Sequence, residues 1–189
     1  VLLWTGKAVS GSHFNPIFTL CLVISRHTKL INGVAYVFTQ FIGCLFAVCL
    51  LKISIAEADM ADIVSVTVLG FPQIKESTAT VAIVQEALGA FFLVVAYYAL
   101  AVEVKAPKYV YAVGISGVML VSTLTFFKYT GCSLNPSRSL AHAMIADNYK
   151  YVYVYLIGPI VGGICGCLLG NLLLSEKALA VRQKRLDEK

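Results

Sequence analysis

A segment built around an Asn-Pro pair occurs twice in this chain. The stretch GSHFNPIFTL, residues 11–20, returns as GCSLNPSRSL, residues 131–140, and Gly, Asn, Pro and the final Leu recur 120 residues apart. In each copy the pair opens an apolar stretch, over residues 16–24 and 136–146. About ten helical residues rise about 15 Å, which is half of a bilayer core. The chain therefore carries two short helices that cannot cross a membrane alone.

Four other apolar stretches are long enough to cross a membrane, which takes roughly 17–25 helical residues. They cover residues 30–51, 79–102, 109–127 and 151–174. The 189 residues are 59% hydrophobic and 13% charged, against about 45–50% apolar and about 25% charged in soluble domains. A soluble domain of this size could not bury so much apolar surface. The composition predicts an all-α, multi-pass integral membrane protein whose main partner is the lipid bilayer.

The two Asn-Pro pairs have the form of helix starts. Asn caps a helix, and Pro fits the first helical position, where its missing N–H costs nothing. Irregular, Gly-containing chain precedes each pair, over residues 10–14 and 130–134. Irregular backbone at membrane depth is tolerated where it lines a water-filled cavity or is buried in protein. The pattern predicts two re-entrant half-helices around a pore.

The distribution of Lys and Arg predicts the orientation. With the tail inside, ten basic residues lie on the cytoplasmic side and four outside, in keeping with the positive-inside rule. The net charge of +5 is therefore read as a topology signal and not as a nucleic-acid patch. The same count makes the half-helices enter from opposite faces, so the two copies form an inverted repeat. The 120-residue offset also pairs Gly43 with Gly163.

The predicted organisation has four parts. Residues 1–52 form the remainder of the first repeat, with the end of a second span, the first half-helix and a third span. Residues 53–78 form an outer connecting loop. Residues 79–175 form the second repeat, with two spans, the second half-helix and the last span, and residues 176–189 form a basic cytoplasmic tail. Because two full spans precede the second motif, we expect one span and most of another to be absent before the first.

With these motifs in place, the sequence resembles the aquaporins of the major intrinsic protein family. The resemblance covers residues 7 to about 174 and rests on both Asn-Pro motifs, on SGSHFNP and YTGCSLNP, and on Arg138 directly after the second motif. Further matching positions are Gln40 and Gly43 in YVFTQFIG, Glu86 in VQEALGAF, and Gly158-Pro159 in LIGPIVGG. The resemblance implies six tilted helices, two half-helices that meet at mid-membrane, and a homotetramer of separate pores.

The resemblance also implies which residues form the pore. The pore motifs are Asn15, Pro16 and Ile17 and their counterparts Asn135, Pro136 and Ser137. The half-helix N-termini each carry about +0.5 charge, which disfavours cations and protons but not neutral molecules. The asparagine amides can donate hydrogen bonds to a passing oxygen, and backbone carbonyls can accept them. The carbonyls belong to Gly11, Ser12 and His13 and to Gly131 and Ser133.

The selectivity filter implied by the resemblance consists of Arg138, Cys132 and Thr123. Water-selective members often carry His where Thr123 stands, so a smaller Thr is expected to widen the filter. Both motifs depart from the usual third residue, Ala. Ile17 is bulkier and is expected to narrow or shift the constriction between the half-helices.

Polar residues within the apolar segments have structural and chemical interpretations. His13, Gln40 and Glu86 are expected to brace the re-entrant loops, in preference to a pH gate or a proton relay. A nucleophilic Cys132 with His142 would make an enzyme, but no third orienting group is evident. We therefore expect no catalytic residue, no metal site and no cofactor.

The predicted function is a passive channel for water, extending to small uncharged solutes. One alternative is a conduction-dead, aquaporin-like structural subunit of a membrane assembly. Another alternative is a glycerol or ammonia facilitator.

Overall fold

The computed structural model describes residues 1–54, 78–103 and 107–174. Most of the predicted outer loop at 53–78 and the whole predicted tail at 176–189 lie outside these residues. Within the described ranges the chain forms helices and no strand. In chain order they are α1 (Leu2–Ser10), α2 (Pro16–Ile24), α3 (Leu30–Ser54), α4 (Ala79–Tyr97), a π-helical turn (Tyr98–Glu103), α5 (Lys108–Thr130), α6 (Pro136–Ile145) and α7 (Val152–Leu174).

The predicted all-α fold and its four membrane-length helices are confirmed. By length and composition, four helices could cross a membrane: Leu30–Ser54, Ala79–Val102, Tyr109–Thr130 and Val152–Leu173. Helices α3 and α5 each continue three residues past the predicted C-terminal ends at 51 and 127. Helix α5 ends where Gly131 takes a left-handed conformation with φ of 74°. The short helices α2 and α6 begin at the two motif prolines.

Helices α4 and α7 form the most closely packed pair, and glycines make the approach possible. Gly158, Gly162 and Gly166 lie four residues apart on α7, on one face of the helix. A Cβ added at Gly162 would fall 1.9 Å from the carbonyl oxygen of Ala87 on α4, and one at Gly166 would fall 2.7 Å from that of Phe91. Small residues at this spacing let membrane helices pack backbone to backbone. The first and last helices of residues 79–174 therefore form a closely packed pair.

Helix α3 has a different environment from α7. Only 6% of its most apolar window is buried, against 50% for α7. One side of α3 borders a cavity of about 400 Å³ whose lining includes Thr39, Gly43 and Ala47. These are small residues at the same four-residue spacing as the α7 glycines, but no described helix packs onto them.

A central apolar cluster joins the two half-helices to the long helices. It includes Ile17 and Phe18 from α2, Leu93 and Tyr97 from α4, and Leu134 from the second re-entrant loop. The ring of Phe18 stacks on that of Tyr97 with centroids 4.3 Å apart. This packing fixes both re-entrant segments inside the helix bundle.

Candidate functional site

The two re-entrant loops repeat one unusual backbone conformation. Gly11 and Gly131, at the ends of α1 and α5, have φ values of 78° and 74°. The residues after them, Ser12 and Cys132, have φ values of 56° and 50°. Non-glycine residues in this left-handed region cost about 1–3 kcal/mol each and persist where the surroundings hold them. The same strained path at the same offset marks both loops as built features.

Each half-helix is capped by the asparagine that the sequence predicts. The Oδ1 atom of Asn15 accepts from the backbone N–H of Ile17 at 3.0 Å. The Oδ1 atom of Asn135 accepts from the N–H groups of Ser137 at 3.0 Å and Arg138 at 3.2 Å. Pro follows each cap at the first helical position. The side chains therefore satisfy N–H groups that a helix start leaves open.

The asparagines also join the two loops to each other. The Nδ2 atom of Asn15 donates to the carbonyl oxygen of Leu134 at 2.8 Å, and the Nδ2 atom of Asn135 donates to that of Phe14 at 3.1 Å. This reciprocal exchange brings the half-helices together by their N-termini, so they run in opposite directions. An amide nitrogen carries two N–H donors, and the exchange needs one from each asparagine.

Glu86 of α4 holds the second loop. Its side chain is fully buried and accepts from the Thr130 hydroxyl at 2.7 Å, from Ser133 N–H at 3.0 Å and from Leu134 N–H at 2.8 Å. The Tyr155 hydroxyl of α7 donates to the Thr130 carbonyl at 2.6 Å. The strained backbone of the loop is thus fixed from two neighbouring helices.

The first loop is held through a different set of contacts. His13 Nδ1 lies 3.1 Å from the Thr19 hydroxyl, and Gln40 Nε2 of α3 donates to the same hydroxyl at 3.0 Å. The Tyr111 hydroxyl of α5 donates to the Ser12 carbonyl at 3.4 Å. The Gln40 Oε1 atom is buried without a hydrogen-bond partner in the described part of the chain. His13 and Gln40 therefore meet on the half-helix itself, at Thr19.

A cavity of about 480 Å³ lies where the two half-helices meet. Its polar lining consists of His13, Asn15, Ser116, Thr123, Ser133, Asn135 and Arg138. Its other walls come from Leu3, Phe14, Phe18, Leu93, Ile115, Met119 and Leu120. The cavity therefore combines both pore asparagines with the predicted filter residues Thr123 and Arg138. Among the described residues, Ile17, Cys132 and Ser137 do not line it.

The predicted filter residues lie close together, although they contribute unequally. The Thr123 hydroxyl donates to the Met119 carbonyl of its own helix at 2.8 Å, which leaves its oxygen lone pairs as acceptors. The Cys132 side chain is only 1% exposed and does not line the cavity. Arg138 can only donate. The cavity thus presents an acceptor on α5 and a cationic donor on α6.

Several residues of this site carry no signal in the sequence. Tyr111 and Met119 belong to no motif, and only their packing brings them to the loops. Thr19 lies in the duplicated segment but is not one of its recurring residues. The repeated Gly11 and Gly131 do signal the left-handed turns, since glycine is the default residue there. Within the described residues, no group of three or more His, Cys, Asp or Glu side chains could hold a metal ion.

Comparison with known proteins gives matches along most of the chain. The family model described as "Major intrinsic protein" matches residues 1–169. Nodulin-26 from Glycine max is 31% identical over 185 residues, which cover 97% of this chain and 65% of that protein. Aquaporin-2 from Homo sapiens is 30% identical over 177 residues, which cover 93% of this chain and 64% of that protein. The chain therefore spans about two thirds, 64–65%, of the length of these relatives.

The fold also resembles a solved structure, the aquaglyceroporin from Plasmodium falciparum. The TM-score is 0.72 at 19% sequence identity, and the match covers 96% of this chain and 79% of that one. At this identity the likeness concerns the fold, which agrees with the inverted repeat and the facing half-helices. With the family match over residues 1–169 and four membrane-length helices, the chain is an integral membrane protein that belongs to the major intrinsic protein family.

Proposed function

We propose that the protein is a passive transmembrane channel for water. One observation carries the proposal: the two half-helices face each other by their N-termini, and both capping asparagines line one cavity with Thr123 and Arg138. A water molecule there meets amide donors at the centre and hydroxyl acceptors on the wall. As it moves, it can replace hydrogen bonds to other water molecules with hydrogen bonds to the protein. Its entry into the cavity therefore costs little free energy.

Electrostatics support a channel for neutral molecules. Each half-helix N-terminus contributes about half a positive charge, and Arg138 adds a full charge to the same cavity. A cation or a hydrated proton is repelled at both places, whereas water is not. The similarity to aquaporin-2 from Homo sapiens favours the same class of activity.

Small uncharged solutes are the proposed extension of this activity. Thr123 offers a short side chain with an accepting oxygen on the cavity wall. The apolar side chains of Met119 and Leu120 lie beside it. A polyol needs both hydrogen-bond partners and an apolar surface for its carbon chain, and this wall provides both.

The test is stopped-flow light scattering of proteoliposomes that carry the native-length protein. Vesicles are exposed first to an impermeant osmolyte and then to glycerol. We expect shrinkage several-fold faster than in protein-free vesicles of the same lipid, with a low activation energy. Shrinkage equal to that of empty vesicles, with the protein shown to be folded and inserted, would contradict the channel. The structural-subunit alternative would then take its place.

A matched pair of variants tests the solute extension. Thr123 and Thr125 lie on the same helix, and each hydroxyl donates to the carbonyl four residues earlier at 2.8 Å. Thr123 lines the cavity, while Thr125 is exposed on the outside of the bundle. Thr123→Leu should lower glycerol flux more than water flux, and Thr125→Leu should change neither. Equal glycerol flux in both variants would remove Thr123 from the solute path.

A further inference from the structure

The first half-helix and the last span lie side by side along a regular seam. Cys167 Sγ lies 3.6 Å from the carbonyl oxygen of Cys21, and Asn171 Nδ2 donates to the Ser25 hydroxyl at 2.8 Å. Four residues before Cys21, Ile17 faces Gly163. The two residues of each pair are 146 positions apart in the sequence. Helices α2 and α7 therefore run in the same direction where they pack together.

Ile17 occupies the space that Gly163 leaves open. A Cβ added at Gly163 would fall 2.2 Å from Ile17 Cγ2, far inside any real carbon contact. The Ile17 side chain is 2% exposed, and a β-branched residue in a helix has one strongly preferred χ1 rotamer. The Cγ2 atom therefore cannot swing away easily, and an added Cβ would move the half-helix.

Such a movement would act on the pore asparagine. Ile17 donates its backbone N–H to Asn15 Oδ1 at 3.0 Å, and Asn15 Nδ2 in turn donates to the Leu134 carbonyl at 2.8 Å. A shift of Ile17 thus changes both bonds that orient the Asn15 amide. The link runs from Gly163, which does not line the cavity, to a residue that does.

We propose that Gly163 is a positioning residue for the channel: it admits Ile17 against α7 and thereby fixes Asn15 between the two half-helices. The proposal rests on the proposed function, since it concerns the placement of a pore donor. It also explains how a bulky residue is accommodated at the third motif position. Ile17 points at the last span and not into the cavity, so its size is matched by the absence of a side chain at Gly163.

The experiment compares Gly163→Ala with two double variants in liposomes. Ile17→Ala removes Cγ2, whereas Ile17→Val keeps both γ carbons. Gly163→Ala should lower water flux per inserted copy several-fold. Adding Ile17→Ala should restore most of the flux, and adding Ile17→Val should not. The control is Gly117→Ala on α5, where an added Cβ meets nothing within 4 Å.

Amide hydrogen exchange of residues 15–22 provides a second readout on the same samples. Gly163→Ala should speed exchange there, and the Ile17→Ala double variant should return it to the wild-type rate. Wild-type flux and exchange in Gly163→Ala would overturn the proposal, as would equal rescue by the Ala and Val variants. If Gly163→Ala does not insert, insertion of the Ile17→Ala double variant alone supports the pairing, and failure of both double variants overturns it.

The two proposals can fail separately. If wild-type vesicles shrink no faster than empty ones, the channel is contradicted. The amide exchange rates of the wild type, of Gly163→Ala and of the two double variants then still decide whether Ile17 and Gly163 are paired.

Discussion

At the scale of single residues, Arg138 concentrates the charge of the site. It lines the cavity directly after the second motif and shares that lining with Thr123 and both asparagines. The half-helix N-termini add only partial charges, and these weaken within about one turn. We therefore expect Arg138 to be the strongest single barrier to cations in the cavity.

Replacing Arg138 with Val should raise proton leak several-fold while water flux persists. The physical reason is the loss of a full positive charge from a cavity whose remaining positive potential comes from helix ends. The leak is measured with a pH-sensitive dye inside vesicles under an imposed proton gradient. Lys128→Ala, at an exposed end of α5, is the control. An unchanged leak in the Arg138 variant would mean that Arg138 does not form the cation barrier.

The side chain of Ile17 lies in a different place from the one that the motif suggests. The sequence predicts that a bulky third motif residue narrows or shifts the constriction. In the structure its side chain lies against Gly163 of α7 and outside the cavity lining. The glycine that receives it is 146 residues away in sequence, so the local motif could not indicate this direction.

At the scale of elements, α4 acts on the second loop through Glu86. Its Oε1 atom accepts from Thr130 and Ser133, and its Oε2 atom accepts from Leu134. All three donors lie in a buried, strained segment. A buried donor left without a partner costs about 1–3 kcal/mol, so the loss of Glu86 should destabilise the loop even though Tyr155 also holds it.

Glu86→Ala should therefore lower the unfolding temperature more than Glu86→Gln does. The Ala variant leaves three donors without Glu86, while the Gln variant keeps one carbonyl oxygen that can serve two of them. Thermal unfolding in detergent, followed by intrinsic fluorescence, measures the difference. Gln85→Ala, at the half-buried neighbouring position, should change the unfolding temperature little. Equal losses for all three variants would show that the hydrogen bonds of Glu86 do not stabilise the loop.

The pairing of α4 with α7 is a second property of elements. It depends on glycines whose added side chains would collide with backbone atoms of the partner helix. Sequence spacing alone also places small residues on α3, at Thr39, Gly43 and Ala47. Only the structure distinguishes a covered small-residue face on α7 from an uncovered one on α3.

At the scale of the whole molecule, the predicted orientation follows from charge. Ten basic residues are assigned to the cytoplasmic side and four to the outside, and five of the ten lie in residues 176–189. Because Lys and Arg near membrane-spanning ends resist translocation, the last segment is expected to stay in the cytoplasm.

An epitope tag after Lys189 tests this orientation. In intact cells an external protease should leave the tag uncut, and the tag should be cut once the membrane is opened. A second tag in the predicted outer loop, residues 53–78, should behave in the opposite way. Cleavage of the C-terminal tag in intact cells would invert the predicted topology.

Local patterns in the amino-acid sequence were enough to predict the helices and their types. Apolar runs of membrane length gave four spans, and the Asn-Pro pairs predicted the starts of both half-helices, because capping and helix length are local properties. Repetition at a fixed offset predicted a duplicated loop, and the distribution of Lys and Arg predicted that the two copies are inverted. The resemblance to aquaporins supplied Asn15, Asn135, Thr123 and Arg138, which the structure brings to one cavity.

The contacts that hold these helices and loops together could be seen in the three-dimensional structure alone. Three contacts join residues at least 99 positions apart. They are the hydrogen bond from Asn15 to Leu134, the packing of Ile17 against Gly163, and the hydrogen bond from Tyr111 to Ser12. Cys132 and Thr123, assigned together to the filter, differ in the same way, since one is buried and the other lines the cavity. Such contacts depend on the distance and direction of side chains on neighbouring helices, and no local pattern encodes them.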